Sequence, residues 1–267
     1  LIKLFVSDLD GTLLNESKAV EQHNIDALKQ LREQSIDICL ASGRMDNEIL
    51  KIANDVEDSF HRISQNGAYV MTNENHSLHE KVFEHEVASK LYSLTRLPDK
   101  LTIVCSNHTN FVEEKTEIVE QIEKLMFFPI EVEAAMQTEI GVSLAPSKIT
   151  VLGEDAGLLT LQRELAEAFP NEIDTYISAP KCLDIMPKSI SKGNAIQLLI
   201  EHLQIKPKEV ACIGDSFNDI PMFKLTPNSF AMSTAPEAVK KEAAHVVDSV
   251  SEAIQIVLKQ NEPSHVS

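Results

Sequence analysis

The first apolar cluster, Ile2, Leu4, Phe5 and Val6, crowds into the first six positions and runs through Ser7 into Asp8. So short and uniform a run predicts a strand buried on both faces of a parallel sheet, with Asp8 at its carboxyl end. Asn15 to Ala19 is a polar loop, and Ile25, Leu28 and Leu31 then recur at helical spacing within Glu21 to Gln34. That spacing predicts a helix with one apolar face. Ile36 to Ala41 reads as a second strand, with a helix over Asp46 to Ala53 behind it. Asn66-Gly67 sits between the short apolar runs at Ile63-Ser64 and Tyr69-Val70-Met71, a hairpin signal. Asn73 to Glu80 reads as a polar loop.

From Val82 the pattern changes. Strand-like pieces at Thr102 to Ser106, Asn110 to Glu113, Ser147 to Leu152, Tyr176 to Ser178 and Leu183 to Met186 interleave with helices at Glu86 to Arg96, Glu117 to Leu125 and Ala156 to Ala168. This mixed order predicts a separate α+β unit over residues 83 to 186, inserted into a core made of residues 1 to 82 and 187 to 267. The cleft between two such domains is an expected place for a substrate. The first pattern then returns: a helix over Ala195 to Leu203, a buried strand over Val210 to Ile213, and further alternation through Ser229 to Met232, Ala235 to Ala244, His245 to Val247 and Ser251 to Lys259. The fold class is therefore α/β, a Rossmann-like parallel-sheet core with an inserted α+β domain.

Charge narrows the partners. With 24 Lys and Arg against 41 Asp and Glu, the net charge of -17 argues against nucleic-acid backbones and anionic membranes, while leaving room for a local basic pocket. No run approaches the roughly 18 apolar residues of a membrane span. Cys39, Cys105, Cys182 and Cys212 lie far apart in strand-like segments with no C-x-x-C pair, so they read as buried free thiols of a cytoplasmic protein. His76 and His79 are close together, but with no cysteine near them a zinc site there is disfavoured.

The chemistry clusters at strand ends. Asp8 and Asp10 are two apart and can face one crevice, where two carboxylates need a proton or a metal between them. Gly11 permits a sharp turn and Thr12 offers a hydroxyl and an amide to an anion. Ser42-Gly43-Arg44 ends the second strand with small polar groups where a helix begins, which suits either an ordinary loop or an anion site. Asn66 falls near the same crevice. Ser191-Lys192-Gly193-Asn194 caps a helix with a lysine in its first turn, where the dipole disfavours a cation. The lysine is either solvated or compensated by an anion. Gly214-Asp215-Ser216-Phe217-Asn218-Asp219 supplies a second acidic strand end, with oxygen donors of the kind Mg²⁺ prefers.

Asp8-Leu9-Asp10-Gly11-Thr12, Ser42-Gly43-Arg44, Lys192 before a helix, and Gly214-Asp215-x-x-Asn218-Asp219 resemble, in order, the four motifs of the haloacid dehalogenase-like phosphatases. The long insertion, Asn66-Gly67-Ala68 and Ile185-Met186-Pro187 are similar to the Cof-type, class IIB capped branch. The resemblance implies a Mg²⁺-dependent phosphatase of a small phosphorylated metabolite, such as a sugar phosphate, working through an aspartyl-phosphate on Asp8 with Asp10 as general acid and base. It implies metal contacts from Asp8, the Asp10 backbone carbonyl and Asp215, with Asp219 close by. Leu9, Thr12, Ser42, Gly43, Arg44, Asn66, Lys192 and Asn218 would bind phosphate or substrate. A hexose phosphomutase and a non-catalytic phosphate-binding module are the alternatives; no motif acid is lost, which weighs against the second. Two departures stand out: Gln65 where glutamate is frequent, and Met232-Ser233-Thr234-Ala235 in place of Met-Gly-Asn-Ala, which questions the backbone turn there. The sequence leaves the oligomeric state open.

Overall fold

A computed structural model describes residues 1–125 and 129–262 of the chain. In chain order it opens with β1 (Leu4–Ser7), α1 (Gln22–Glu33), β2 (Asp37–Ala41), α2 (Asp46–Asp55), β3 (His61–Ser64), β4 (Tyr69–Met71) and β5 (Ser77–Glu80). The inserted stretch holds α3 (His85–Thr95), β6 (Leu101–Cys105), β7 (Asn110–Val112), α4 (Glu117–Leu125), β8 (Ile130–Val132), α5 (Met136–Glu139), β9 (Lys148–Leu152), α6 (Asp155–Ala168), β10 (Ile173–Ala179) and β11 (Cys182–Pro187). The chain returns through α7 (Lys192–Leu203), β12 (Val210–Gly214), α8 (Ile220–Leu225), β13 (Asn228–Met232), α9 (Glu237–Lys240), β14 (His245–Val247) and α10 (Val250–Asn261).

Two compact units result. One comprises Leu1–Arg44, Ile49–His79 and the chain from Ser191 on; the other comprises Met45–Glu48 and Glu80–Ile190. The first unit is an eight-stranded sheet in the order β14-β13-β12-β1-β2-β3-β4-β5. All four residues of β1 are buried, and the strand pairs in parallel with β2 on one side and β12 on the other. Leu4 and Val6 point into a core shared with Ile196 and Leu199 of α7 and Met222 and Phe223 of α8. From β1 the chain first builds outward through β2 and β3, then returns to build the other way through β12 and β13. The end of β1 is thus the point at which strand order reverses, where an open α/β sheet leaves a crevice.

The second unit is a six-stranded sheet in the order β10-β11-β9-β6-β7-β8, antiparallel except for β7 with β8. Successive residues of β6 face opposite sides of this sheet, Val104 into one apolar cluster and Ile103 and Cys105 into another. Ile149 and Val151 of β9 and Leu183 and Ile185 of β11 pack on Leu91 of α3 and on Leu158, Leu161 and Leu165 of α6. Ile103 and Cys105 join Val119 of α4 in a smaller cluster.

Three expectations change. Asn73 to Glu80 is not all loop, because Ser77–Glu80 forms β5 at the sheet edge. The helix expected over Ala235 to Ala244 is confined to Glu237–Lys240. Cys39, Cys105 and Cys212 are buried thiols, but Cys182 is only partly so, because β11 places it at the strand's first position beside the turn from β10.

Candidate active site

β1 delivers Asp8 to the switch point, where its backbone N–H donates to Ile213 O at 3.0 Å and so continues the pairing with β12. Its side chain is 7% exposed and is met by Lys192, whose ammonium lies 2.6 Å from Asp8 Oδ1 and 2.7 Å from Asp219 Oδ1. Lys192 is fully buried. It begins α7, capped by Ser191 Oγ accepting from Asn194 N. A solvated lysine is therefore excluded, and two carboxylates offset the unfavourable helix dipole. Burial would lower the Lys192 pKa, but Asp219 and Asp8 together raise it above its ordinary value, so the cation is secure.

Asp219 is itself fixed on every side. Its Oδ2 accepts from the backbone N–H groups of Asp215 and Ser216, each at 2.9 Å, while Oδ1 takes Lys192. Gly214 makes this approach possible, since a Cβ there would fall 2.4 Å from Asp219 Cγ. Gly11 is required twice over: its φ is 79°, and a Cβ would meet Asp215 Oδ2 at 2.4 Å. Thr12 Oγ1 donates to Asp215 Oδ1 at 3.0 Å and Thr12 N to Leu9 O at 3.3 Å, so Thr12 holds Asp215 in place. Leu9 is wholly buried.

Asp10 turns to other partners. Arg44 grips it with Nε 2.6 Å from Oδ2 and Nη2 2.8 Å from Oδ1, and Lys18 Nζ lies 2.8 Å from Oδ1. Burial pushes the Asp10 carboxyl up, yet hydrogen bonds from Arg44 and Lys18 prevail and hold it at about 2. Asp8 differs. Burial pushes it well above the carboxylate range against the pull of Lys192, with Asp219 and Asp215 adding repulsion. Asp215 is raised too, by burial first and Asp219 second. The two acids expected to share one crevice thus have separate partners. Arg44, expected on phosphate or substrate, has its guanidinium on Asp10.

Around them the second strand end closes in. Ser42 Oγ is buried and accepts from Arg44 N at 3.2 Å, which leaves its own hydrogen to donate. Gln65 and Asn66 both adopt left-handed backbone, with φ of 46° and 57°. Their amides donate to Arg44 O and Ser42 O at 2.8 and 2.9 Å, pinning the loop that holds Gly43. Asn66 Oδ1 accepts from Asn218 Nδ2 at 3.0 Å, while Asn66 Nδ2 and Asn218 Oδ1 are buried without a partner. The structure brings Asp8, Asp215, Asp219 and Lys192 into one network and ties Ser42, Asn66 and Asn218 into another. Lys18 is the residue that the sequence did not mark, since it lies in a plain polar loop outside every motif.

Among the described residues, the three side chains able to hold a metal together are Asp8, Asp215 and Asp219, whose oxygens lie within 4.8 Å of one another. His76 and His79 join no such cluster there. The all-oxygen set fits Mg²⁺, and the upward push on Asp8 and Asp215 marks where a cation would relieve repulsion. Because both Asp219 oxygens are committed, Asp8 and Asp215 are the better-placed ligands. The Ser233-Thr234 departure leaves the turn intact: Ala235 N donates to Met232 O at 3.0 Å with no left-handed residue at 233 or 234, so no glycine is required.

An open α/β sheet thus carries two acidic strand ends and a buried lysine at its switch point. Residues 5–257 match the haloacid dehalogenase-like hydrolase family, and the chain belongs to it. An HMP-PP phosphatase of Escherichia coli O157:H7 is 25% identical, with 92% of this chain and 89% of that protein covered. A haloacid dehalogenase-like hydrolase from Bacteroides thetaiotaomicron superposes with a TM-score of 0.85 at 29% identity, covering 96% of this chain and 100% of that one. The fold is also shared with a subclass IIB sugar phosphatase of the same superfamily, at a TM-score of 0.81 and 22% identity over 96% and 98% of the two chains. Among the described residues no helix is long and apolar enough to cross a membrane.

Proposed function

We propose that this chain hydrolyses a small phosphomonoester, of the sugar-phosphate kind, through Asp8 with Mg²⁺ as its resident cation. The observation that carries the reading is the setting of Asp8: a buried carboxylate at the switch point, on a buried lysine, with two further aspartates close by. Family membership and a relative named for phosphatase activity support the same reading. When bound, Mg²⁺ would be held by Asp8, Asp215 and the backbone carbonyl of Asp10, and would screen the attacking carboxylate from the phosphate it approaches.

An Asp8 oxygen attacks phosphorus, and the bond from phosphorus to the leaving oxygen breaks. That oxygen departs with the electron pair and takes a proton from Asp10. Water then gives a proton to Asp10 and attacks the acyl phosphate, which restores Asp8 and releases inorganic phosphate. Asp10 is held ionised by Arg44 and Lys18, so it is ready as the base of the second step. As the acid of the first it must acquire a proton against two cations. Lys192, the Ser42 hydroxyl, the backbone of Leu9 and Gly43, and Asn66 Nδ2, which has no partner among the described residues, would hold the phosphoryl oxygens, a positioning and electrostatic task. Arg44 and Thr12 act one step back, on Asp10 and Asp215.

We take residues 83 to 186 as the part that selects the leaving group, so exchanging them for a relative's insertion should reorder a substrate panel. The test of the whole reading is phosphate release from a panel of phosphorylated metabolites, with and without chelator. We expect turnover of one or more small phosphomonoesters that chelation removes and Mg²⁺ restores. Full activity in excess chelator would overturn the metal assignment, and no release from any member would overturn the phosphatase reading.

A further inference from the structure

Lys18 lies outside every motif, yet its ammonium reaches the Asp10 carboxylate, and the loop that carries it is built for that reach. Asn15 N donates to Ala19 O at 3.0 Å and Lys18 N to Asn15 O at 2.9 Å, while Asn15 Oδ1 accepts from both Ser17 N and Ala19 N. Lys18 is forced into left-handed backbone with a φ of 60°, which glycine or asparagine would adopt more readily. A solvated lysine would have no use for so constrained a loop. Here the turn directs Lys18 Nζ to Asp10 Oδ1 at 2.8 Å, the same oxygen that takes Arg44 Nη2 at 2.8 Å.

We infer that Lys18 is a positioning residue for Asp10, the third point that fixes a carboxylate whose other hold, among the described residues, is the Arg44 fork along one edge. A bidentate guanidinium sets the plane of a carboxylate. A cation approaching one of its oxygens from the Asn15–Ala19 loop sets where along that plane the carboxylate rests. Lys18 is 43% exposed against 12% for Arg44, so it is the weaker and more adjustable of the two holds. What Asp10 does chemically rests on the phosphatase reading, whereas where Asp10 is held does not.

The experiment compares wild type, Lys18→Met and Lys18→Arg in two ways. Crystal structures give the position of the Asp10 carboxylate; kcat and KM are measured on a simple alkyl phosphate and on p-nitrophenyl phosphate, whose leaving group needs no proton. We expect the Asp10 carboxylate to shift on the Arg44 fork in Lys18→Met and to return in Lys18→Arg. With it kcat should fall by about 2- to 5-fold on the alkyl ester, the range of a partly exposed ion pair, with KM little changed and a smaller loss on the nitrophenyl ester. An unmoved Asp10 in Lys18→Met, or equal losses on the two esters, would overturn the inference. If wild type cleaves neither these esters nor any member of the metabolite panel, the phosphatase reading is what fails, and the carboxylate position in the three crystal structures still decides the role of Lys18.

Discussion

Asp8 and Asp10 leave the same strand end two residues apart, and the protein treats them in opposite ways. Asp8 is sealed against a fully buried lysine that it shares with Asp219. Asp10 has a side chain 40% exposed and is held by an arginine and a surface lysine. Burial raises the first and cation contacts hold down the second. Neighbouring carboxylates acquire different tasks when their environments push their proton affinities apart. On the proposed reading, the buried acid meets phosphorus and the wetter one trades protons.

The difference is sharpest in what happens when each cation is removed. Lys192→Met leaves Asp8 and Asp219 buried without their cation, which costs about 3–5 kcal/mol in comparable pairs, and it should lower turnover of every substrate by about 10² to 10³ if the lysine acts like an oxyanion donor. Denaturant titration and kcat on two unlike esters check both halves. A stable, active Lys192→Met would erase the distinction between the two sides.

Asp10→Asn probes the wetter side. It should lose most turnover of alkyl phosphates, about 10² to 10⁴ as for a general acid and base, but phosphorylation of Asp8 by p-nitrophenyl phosphate should persist as a burst. Equal loss of that burst would remove the acid role.

The smallest effect concerns pH. The folded Asp10 carboxyl titrates at about 2 against an ordinary 3.8, so the unfolded chain binds its proton more readily. The stabilisation is fully present above about pH 4 and is lost as pH falls through about 2. Arg44→Met should flatten the stability profile in that window while changing stability near neutral pH by about 1 kcal/mol or less, discounted for solvent screening. An unchanged acid limb would show that the fork does not hold the charge.

Much of the core was legible because uniform apolar runs force buried strands. Leu4 to Val6 and Val210 to Ile213 placed Asp8 and Asp215 at strand ends, and Ser191 marked the helix start that carries Lys192. The burial of Lys192 was not legible: a lysine in a first turn is equally at home in water, and its partners Asp8 and Asp219 lie 184 and 27 residues away. Ser77–Glu80 escaped because an edge strand with no fully buried residue needs no apolar alternation. Lys18 escaped because its role comes from backbone set by Asn15, not from a motif.

The central claim is that Asp8 forms the bond to phosphorus. The direct measurement is to quench the wild-type enzyme during turnover, reduce any acyl phosphate with borohydride, and locate the reduced residue by peptide mass spectrometry. The account predicts a reduced aspartate at position 8, dependent on substrate and absent from folded Asp8→Asn. Reduction at another residue, or phosphate release by folded Asp8→Asn at the wild-type rate, would contradict it.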